Sequence, residues 1–390
     1  MLFSEIERSF EGPKTYAEPD YEYLDRSGRQ VAICIRRVLE EWVTHSPKPH
    51  IDELVSRFQS PINVHHISAA FELCLYELLV RLGYQVVVHP EIKDGKGKRP
   101  DFLVTDADGF RFYLEAVVSN ETTRDQDSAD SRVSVVLDLL NRLESSNFFL
   151  GLDHSGSPKT QPSVKQLRMV LEEWLAGLEA DTVLAEVRAY GHRSLPTLKW
   201  SHDGWKVEFT AIPRSPEKRD TPVKSIIGTL SNGAHFLNTW EAVRDSLLAK
   251  GSRYGELDAP LVIAVNACVT HLDEIDVMEA LFGQEQFIIQ AGNPDVEPRF
   301  ERVPNGFWNG PNGPQYTRVA AVIIGFDLRP WTFGVRNLRL YKNPWAQNLI
   351  KGAIHQLPIT EAINGKMESH QGTHLKYLLN LPPCYPGVEE

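Results

Sequence analysis

Three carboxylates stand inside segments that otherwise read as core, and few folds give such residues a place. Glu72 interrupts the apolar helical run AAFELCLYELL, Asp101 opens the strand-like DFLV, and Glu115 lies within FYLEAVV. Burying an isolated carboxylate costs several kcal/mol unless it is protonated, paired or bound to a cation. A shared divalent ion would satisfy all three together. Mg2+ takes oxygen ligands and keeps several waters, so two carboxylates on adjacent strands with a backbone oxygen between them form a sensible half-shell. That half-shell is expected from Asp101, Glu115 and the Ala116 carbonyl, with Glu72 completing it or holding one of the ion's waters.

The surrounding pattern fixes an element order. HHISAAFELCLYELLVRLG reads as a long helix ending at Gly83, and YQVVVHPEI as a buried strand. PDFLVTDADGFRFYLEAVV reads as two strands joined at Asp108-Gly109. A helix over SVVLDLLNRLESS and a strand over NFFLGLDHSG follow. Roughly residues 65 to 153 therefore give helix, three strands, helix, strand.

The helix glutamate, the Pro100-Asp101 pair and Glu115, separated by 29 and 14 residues, resemble the PD-(D/E)XK nuclease superfamily, particularly its restriction-endonuclease-like and junction-resolvase members. The resemblance implies an α/β fold: a restriction-endonuclease-like core, with a mixed central sheet flanked by helices, an N-terminal helical segment and a C-terminal α/β region. It also implies Mg2+ or Mn2+ as cofactor, catalytic roles for Glu72, Asp101 and Glu115, and hydrolysis of phosphodiester bonds in nucleic acid, with DNA expected first. Restriction, phage defence or repair would be the setting by analogy alone. The motif lysine is absent, because Val117 stands two positions after Glu115. Lys98, Arg99 or Arg124 can supply the cation from a neighbouring element; otherwise the domain is an inactive nuclease-like module that binds nucleic acid or a protein partner.

Ordinary ion pairing is the competing explanation for the acids: Glu72 with Arg81 or Arg57, and Asp101 with Arg99 or Arg111. The loop KDGKGKR, with Lys96, Lys98 and Arg99 beside the expected cleft, suits phosphate contacts as well as it suits a solvated turn. Trp308 and Tyr316 in VPNGFWNGPNGPQYTR, and Trp345 in RLYKNPWA, can stack on bases or simply pack. His370 and His374 have i, i+4 spacing but lack a third ligand in the sequence. No GxSxG elbow or GxxxxGK[ST] loop occurs, which argues against a serine hydrolase or a self-contained ATPase.

Beyond this core, RQVAICIRRVLEEWV reads as a helix in an N-terminal segment spanning 1–60. The nuclease-like domain is expected at 61–213 and a C-terminal α/β region, role unassigned, at 214–390. VKQLRMVLEEWLAGL reads as a helix, VLAEVRAY as strand-like, and TLKWSHDGWKVEFTAIP as a second hairpin turning at Asp203-Gly204. Helix, strand and helix are expected over TWEAVRDSLLAKG, PLVIAVNA and DEIDVMEALFG, and strands near 286–290, 318–325 and 337–341.

A chain of 390 residues with 42% hydrophobic and 24% charged residues should fold throughout, in more than one compact region. A net charge of −11 argues against general coating of nucleic acid but leaves room for a basic rim around an acidic cleft. The start MLFSEIERSF lacks the basic end of a signal peptide, and no apolar run reaches membrane-spanning length, so a cytoplasmic protein without membrane contact is expected. Cys34, Cys74, Cys268 and Cys384 form no CxxC pair and are expected to stay reduced. A homodimer or partner protein would suit double-strand cleavage.

Overall fold

The computed structural model describes residues 1–92, 97–120, 124–143, 145–219, 226–229, 239–269, 272–288, 299–363 and 366–387. Helices α1 (Asp20–Arg26), α2 (Gln30–His45), α3 (Lys48–Phe58) and α4 (Asn63–Arg81) lead into strands β1 (Gln85–Val88), β2 (Phe102–Thr105) and β3 (Arg111–Asn120). Next along the chain come α5 (Arg124–Leu140), β4 (Phe148–Ser155), α6 (Val164–Ala176), α7 (Ala180–Tyr190), β5 (Thr197–His202), β6 (Trp205–Pro213) and β7 (Ile227–Thr229). They are followed by α8 (Thr239–Gly251), β8 (Leu261–Cys268) and α9 (Glu274–Phe282). Two short ribbons, β9 (Glu285–Ile288) with β10 (Arg299–Arg302) and β11 (Asn309–Gly310) with β12 (Gly313–Pro314), precede β13 (Val319–Phe326). The chain closes with β14 (Leu338–Lys342), β15 (Ile359–Ile363), β16 (Lys366–His370) and α10 (Leu375–Leu378).

The chain divides into two compact units. The first holds Met1–Gly12, Pro19–Glu121 and Leu237–Glu390; the second holds Pro13–Glu18 and Thr122–Phe236. In the first, eight strands form one mixed sheet in the order β1-β2-β3-β8-β13-β14-β15-β16. Strands β3, β8 and β13 run parallel at its centre, flanked by antiparallel β1–β2–β3 on one side and β13–β14 on the other. LVIAVNAC in β8 and VAAVIIGF in β13 are buried almost throughout, as strands covered on both faces must be. Phe112 and Leu114 pack with α2 and α4 on one face, whereas Tyr113 packs with α8 and α9 on the other.

Helix α4 follows directly from its sequence. Thirteen of its residues are buried, including Phe71, whose truncation to alanine should cost about 3–5 kcal/mol. The helix stops at Gly83, with φ of 84°, where Gly83 N–H donates to the Val80 carbonyl and Tyr84 N–H to that of Leu79. The β2–β3 turn likewise uses Gly109 at φ 82°, and the Asp106 side chain accepts the backbone N–H groups of Asp108 and Phe110.

The second unit is a four-stranded sheet, β5-β6-β4-β7, packed on α5 and α6 through Leu137, Leu140, Leu167 and Leu171.

Five expectations need correction. The boundary between 61–213 and 214–390 does not separate two domains, because β3 and β8, drawn from opposite sides of it, are sheet neighbours. A parallel pair needs a long crossover, and local sequence sets no upper limit on it, so a whole compact unit stands between β3 and α8 in the chain. For the same reason the strand over NFFLGLDHSG, β4, belongs to the second unit's sheet. The run QVVV forms an edge strand whose residues alternate between exposed and half-buried, since it pairs only with β2. VLAEVRAY lies in α7, where Val183 and Val187, four apart, face the same apolar cluster.

The fifth correction concerns thiols. Cys34 and Cys384, 350 residues apart, form a disulfide, while Cys74 and Cys268 are free. Helix α2 and the C-terminal segment meet on one core, a proximity that cysteine spacing does not encode. No helix among the described residues is long and apolar enough to cross a membrane.

Candidate active site

Asp101 and Glu115 come together where β2 and β3 diverge. The last β2–β3 pair is Phe102 with Leu114, so Asp101 and Glu115 follow it on opposing strands. Alternation along β3 puts Glu115 on the α8 face, in step with Tyr113. Ala116 turns its backbone toward β2: its N–H donates to Asp101 Oδ2 at 2.6 Å.

Glu115 is almost wholly buried, its side chain 1% exposed, and it is met by three groups, one at the end of α8 and two in the segment just after it. Lys250 Nζ forms an ion pair with Oε1, Arg253 Nη1 lies 3.3 Å from the same oxygen, and the Tyr254 hydroxyl donates to Oε2. Tyr254 also lies 3.1 Å from the Arg99 carbonyl, tying the segment before Asp101 to the same point. Burial and the Glu115 charge together push the Tyr254 phenol well above its ordinary range, so it serves here as a neutral donor.

Asp101 has the opposite environment. Burial, then the charges of Glu115 and Glu72, push its carboxyl up, and the Ala116 N–H and the Lys250 charge only partly compensate. Two carboxyl groups thus sit close enough to repel, one rich in cationic partners and the other poor.

Glu72 is engaged elsewhere. Its Oε1 meets His50 Nε2 at 2.7 Å and its Oε2 meets Arg57 Nη2 at 2.7 Å. Burial alone would raise its carboxyl, but the His50 hydrogen bond and the Arg57 charge outweigh that and hold it low. It reaches Asp101 through its field, with both oxygens committed to other partners.

The remaining expected residues fall around this centre or outside it. Arg99 is exposed and its guanidinium pairs with Glu91 at 3.0 Å; Lys98 is exposed. Lys96 lies outside the described residues; Arg124 opens α5 in the second unit, its side chain outside the description. Val117 packs against the apolar cluster under α8 and α9. Trp308 is fully buried, and Tyr316 stacks on Phe307 at 4.7 Å. His370 ends β16 and His374 caps α10, so they share no helical face.

The donor set of Asp101, Glu115 and the Ala116 backbone is hard oxygen and fits Mg2+ or Mn2+, provided the ion retains several waters. Among the described residues no group of three or more His, Cys, Asp or Glu side chains is placed to hold a metal. Sequence reasoning missed Lys250, Arg253 and Tyr254, which lie at least 135 residues after Glu115. Their only local signal is a basic residue in the last turn of a helix, which usually does no more than complement the helix dipole. Comparison of the chain with family models, curated proteins and solved structures found no match.

Proposed function

We propose that this chain is a metal-dependent nuclease of restriction-endonuclease-like type, with Asp101 and Glu115 as its acidic pair and Lys250 in the role of the missing motif lysine. One observation carries the reading: the cation absent at Val117 is present in space, because Lys250 of α8 meets Glu115 directly while Asp101 stands on the adjacent strand. Two acids can hold a metal ion and a lysine can offset charge on the reacting phosphate, so the three groups together suit phosphodiester hydrolysis.

Asp101, Glu115 and the Ala116 carbonyl would hold Mg2+ or Mn2+, which supplies Lewis-acid charge at a phosphate oxygen when bound. Glu115 positions Lys250 through their ion pair, and Lys250 offsets negative charge as the phosphorus centre becomes five-coordinate. Arg253, 39% exposed, extends from the same carboxylate toward solvent and suits contact with a flanking phosphate. Glu72 acts as a support, clamping α3 to α4 through Arg57 and His50. Nucleic acid, with DNA first, is the proposed substrate, and defence or repair within the cytoplasm the proposed setting.

A second reading is favoured by the same contacts: a nuclease-like module without turnover that binds nucleic acid or a protein partner. Both Glu115 oxygens and both Glu72 oxygens already have side-chain partners: Lys250 and the Tyr254 hydroxyl for the first, the His50 ring and Arg57 for the second. Calorimetric titration with Mn2+ separates the two. Binding that disappears in Glu115→Ala supports the nuclease, whereas no heat with either Mg2+ or Mn2+ supports the module.

A further inference from the structure

Outside the acidic site, one covalent feature combines accessibility with chemistry. The Cys34–Cys384 disulfide joins a core position to a surface position: Cys34, in α2, is 3% exposed, whereas Cys384 is exposed. Arg37, one helical turn after Cys34, places Nη2 3.1 Å from Cys384 Sγ, so an approaching thiolate meets positive charge at the sulfur that solvent can reach. The segment around Cys384 has anchors of its own. Leu375, Leu379, Leu381 and Tyr385 are buried in the main core, and the Tyr385 hydroxyl donates to the Pro330 carbonyl.

We propose that Cys384 is a reversible thiol-modification site, at which a small cellular thiol of the glutathione class opens the Cys34–Cys384 bond without unfolding the protein. The thiolate attacks Cys384 Sγ, because in-line attack on buried Cys34 is closed to solvent. The new bond joins the small thiol's sulfur to Cys384 as the Cys34–Cys384 bond breaks; the electron pair leaves on Cys34 Sγ, which takes a proton from water. A second thiolate then attacks the small thiol's sulfur and releases its disulfide, leaving Cys384 reduced. In sum two small thiols are oxidised and one protein disulfide is reduced. The four buried anchors hold the segment in place throughout. In a reducing compartment a disulfide is ordinarily transient and responsive, which is the behaviour proposed here.

The test is peptide mapping by mass spectrometry, first of non-reduced protein and then of folded protein exposed to graded reduced and oxidised glutathione, with near-ultraviolet circular dichroism alongside. The expected result is a linked Cys34–Cys384 peptide that converts to glutathionyl-Cys384 with free Cys34, the dichroism spectrum unchanged and Cys74 and Cys268 unmodified. Arg37→Ala should slow the exchange at least threefold. In Cys34→Ser, oxidised glutathione should modify Cys384 directly, releasing one reduced glutathione. The proposal is overturned if the non-reduced protein lacks the link, if glutathione first appears on Cys34, Cys74 or Cys268, or if exchange occurs only where the dichroism signal is lost.

Discussion

Replacing Lys250 with methionine should make metal binding tighter and cleavage slower, a combination that ordinary damage to a site does not produce. Lys250 is 19% exposed and pairs with a carboxylate that is 1% exposed, so its loss breaks an ion pair that is largely buried. Such losses cost about 3–5 kcal/mol, and here the lower end, about 3 kcal/mol, applies because Arg253 and Tyr254 still engage Glu115. The same loss leaves Glu115 Oε1 with Arg253, 3.3 Å away, as its remaining cationic contact among the described residues and eases access for a divalent ion, so the Mn2+ dissociation constant should fall. Without the ammonium, charge in the transition state goes uncompensated, and the rate should drop by about 10²–10³-fold. Urea unfolding, calorimetric Mn2+ titration and single-turnover cleavage measure the three quantities on one preparation. Weaker Mn2+ binding with an unchanged cleavage rate would refute the role given to Lys250.

Three further outcomes are expected. Asp101, with its folded-state pKa pushed up to about 8, binds a proton that the unfolded chain releases near pH 4. Its contribution to stability is therefore complete below about pH 4 and lost as pH rises through about 8, while Mn2+ affinity rises about tenfold per pH unit until it levels above 8. Calorimetry in two buffers of different ionisation enthalpy should detect the released proton, and a pH-independent affinity between 6 and 8 would contradict the shift. Glu72→Ala should destabilise the fold by about 3–5 kcal/mol, because it strips buried His50 of its Nε2 partner and leaves Arg57 with the exposed Glu53 at 3.7 Å, yet change Mn2+ affinity less than threefold; a large loss of affinity in folded protein would place Glu72 in the metal shell. Cys384→Ser should lower stability by up to about 6 kcal/mol on chain entropy alone, given the 350-residue separation, and thermal unfolding with and without reductant checks it.

Much of the local structure was legible because short-range physics dictates it. Gly83 ends α4 and Gly109 turns the β2–β3 hairpin, both at positive φ, and both are readable from their neighbours. Register then follows from alternation, which is why Asp101 and Glu115 were recognisable as partners across two strands. What the sequence concealed depends on contacts between distant segments. The neighbour of β3 is β8, about 150 residues later, and only a complete sheet reveals that pairing. Lys250 arrives at Glu115 by the same crossover, so a search confined to positions near Val117 had to miss it. Glu72 shows an ambiguity that the sequence leaves open: a buried acid suggests a cation, but its sequence does not say whether that cation is a metal or the Arg57 side chain. The disulfide is hidden for a similar reason, since Cys34 and Cys384 meet only after α2 and the C-terminal segment have packed.

The most direct test of the acidic pair with Lys250 as a phosphodiester-cleaving site is incubation of labelled single- and double-stranded DNA and RNA with purified protein in Mg2+, Mn2+ and EDTA, beside the Asp101→Ala/Glu115→Ala double variant. The account predicts cleavage of at least one substrate that requires the metal and is abolished in the double variant. Cleavage that persists in EDTA or in the double variant, or no cleavage of any substrate by protein that binds Mn2+, would contradict it.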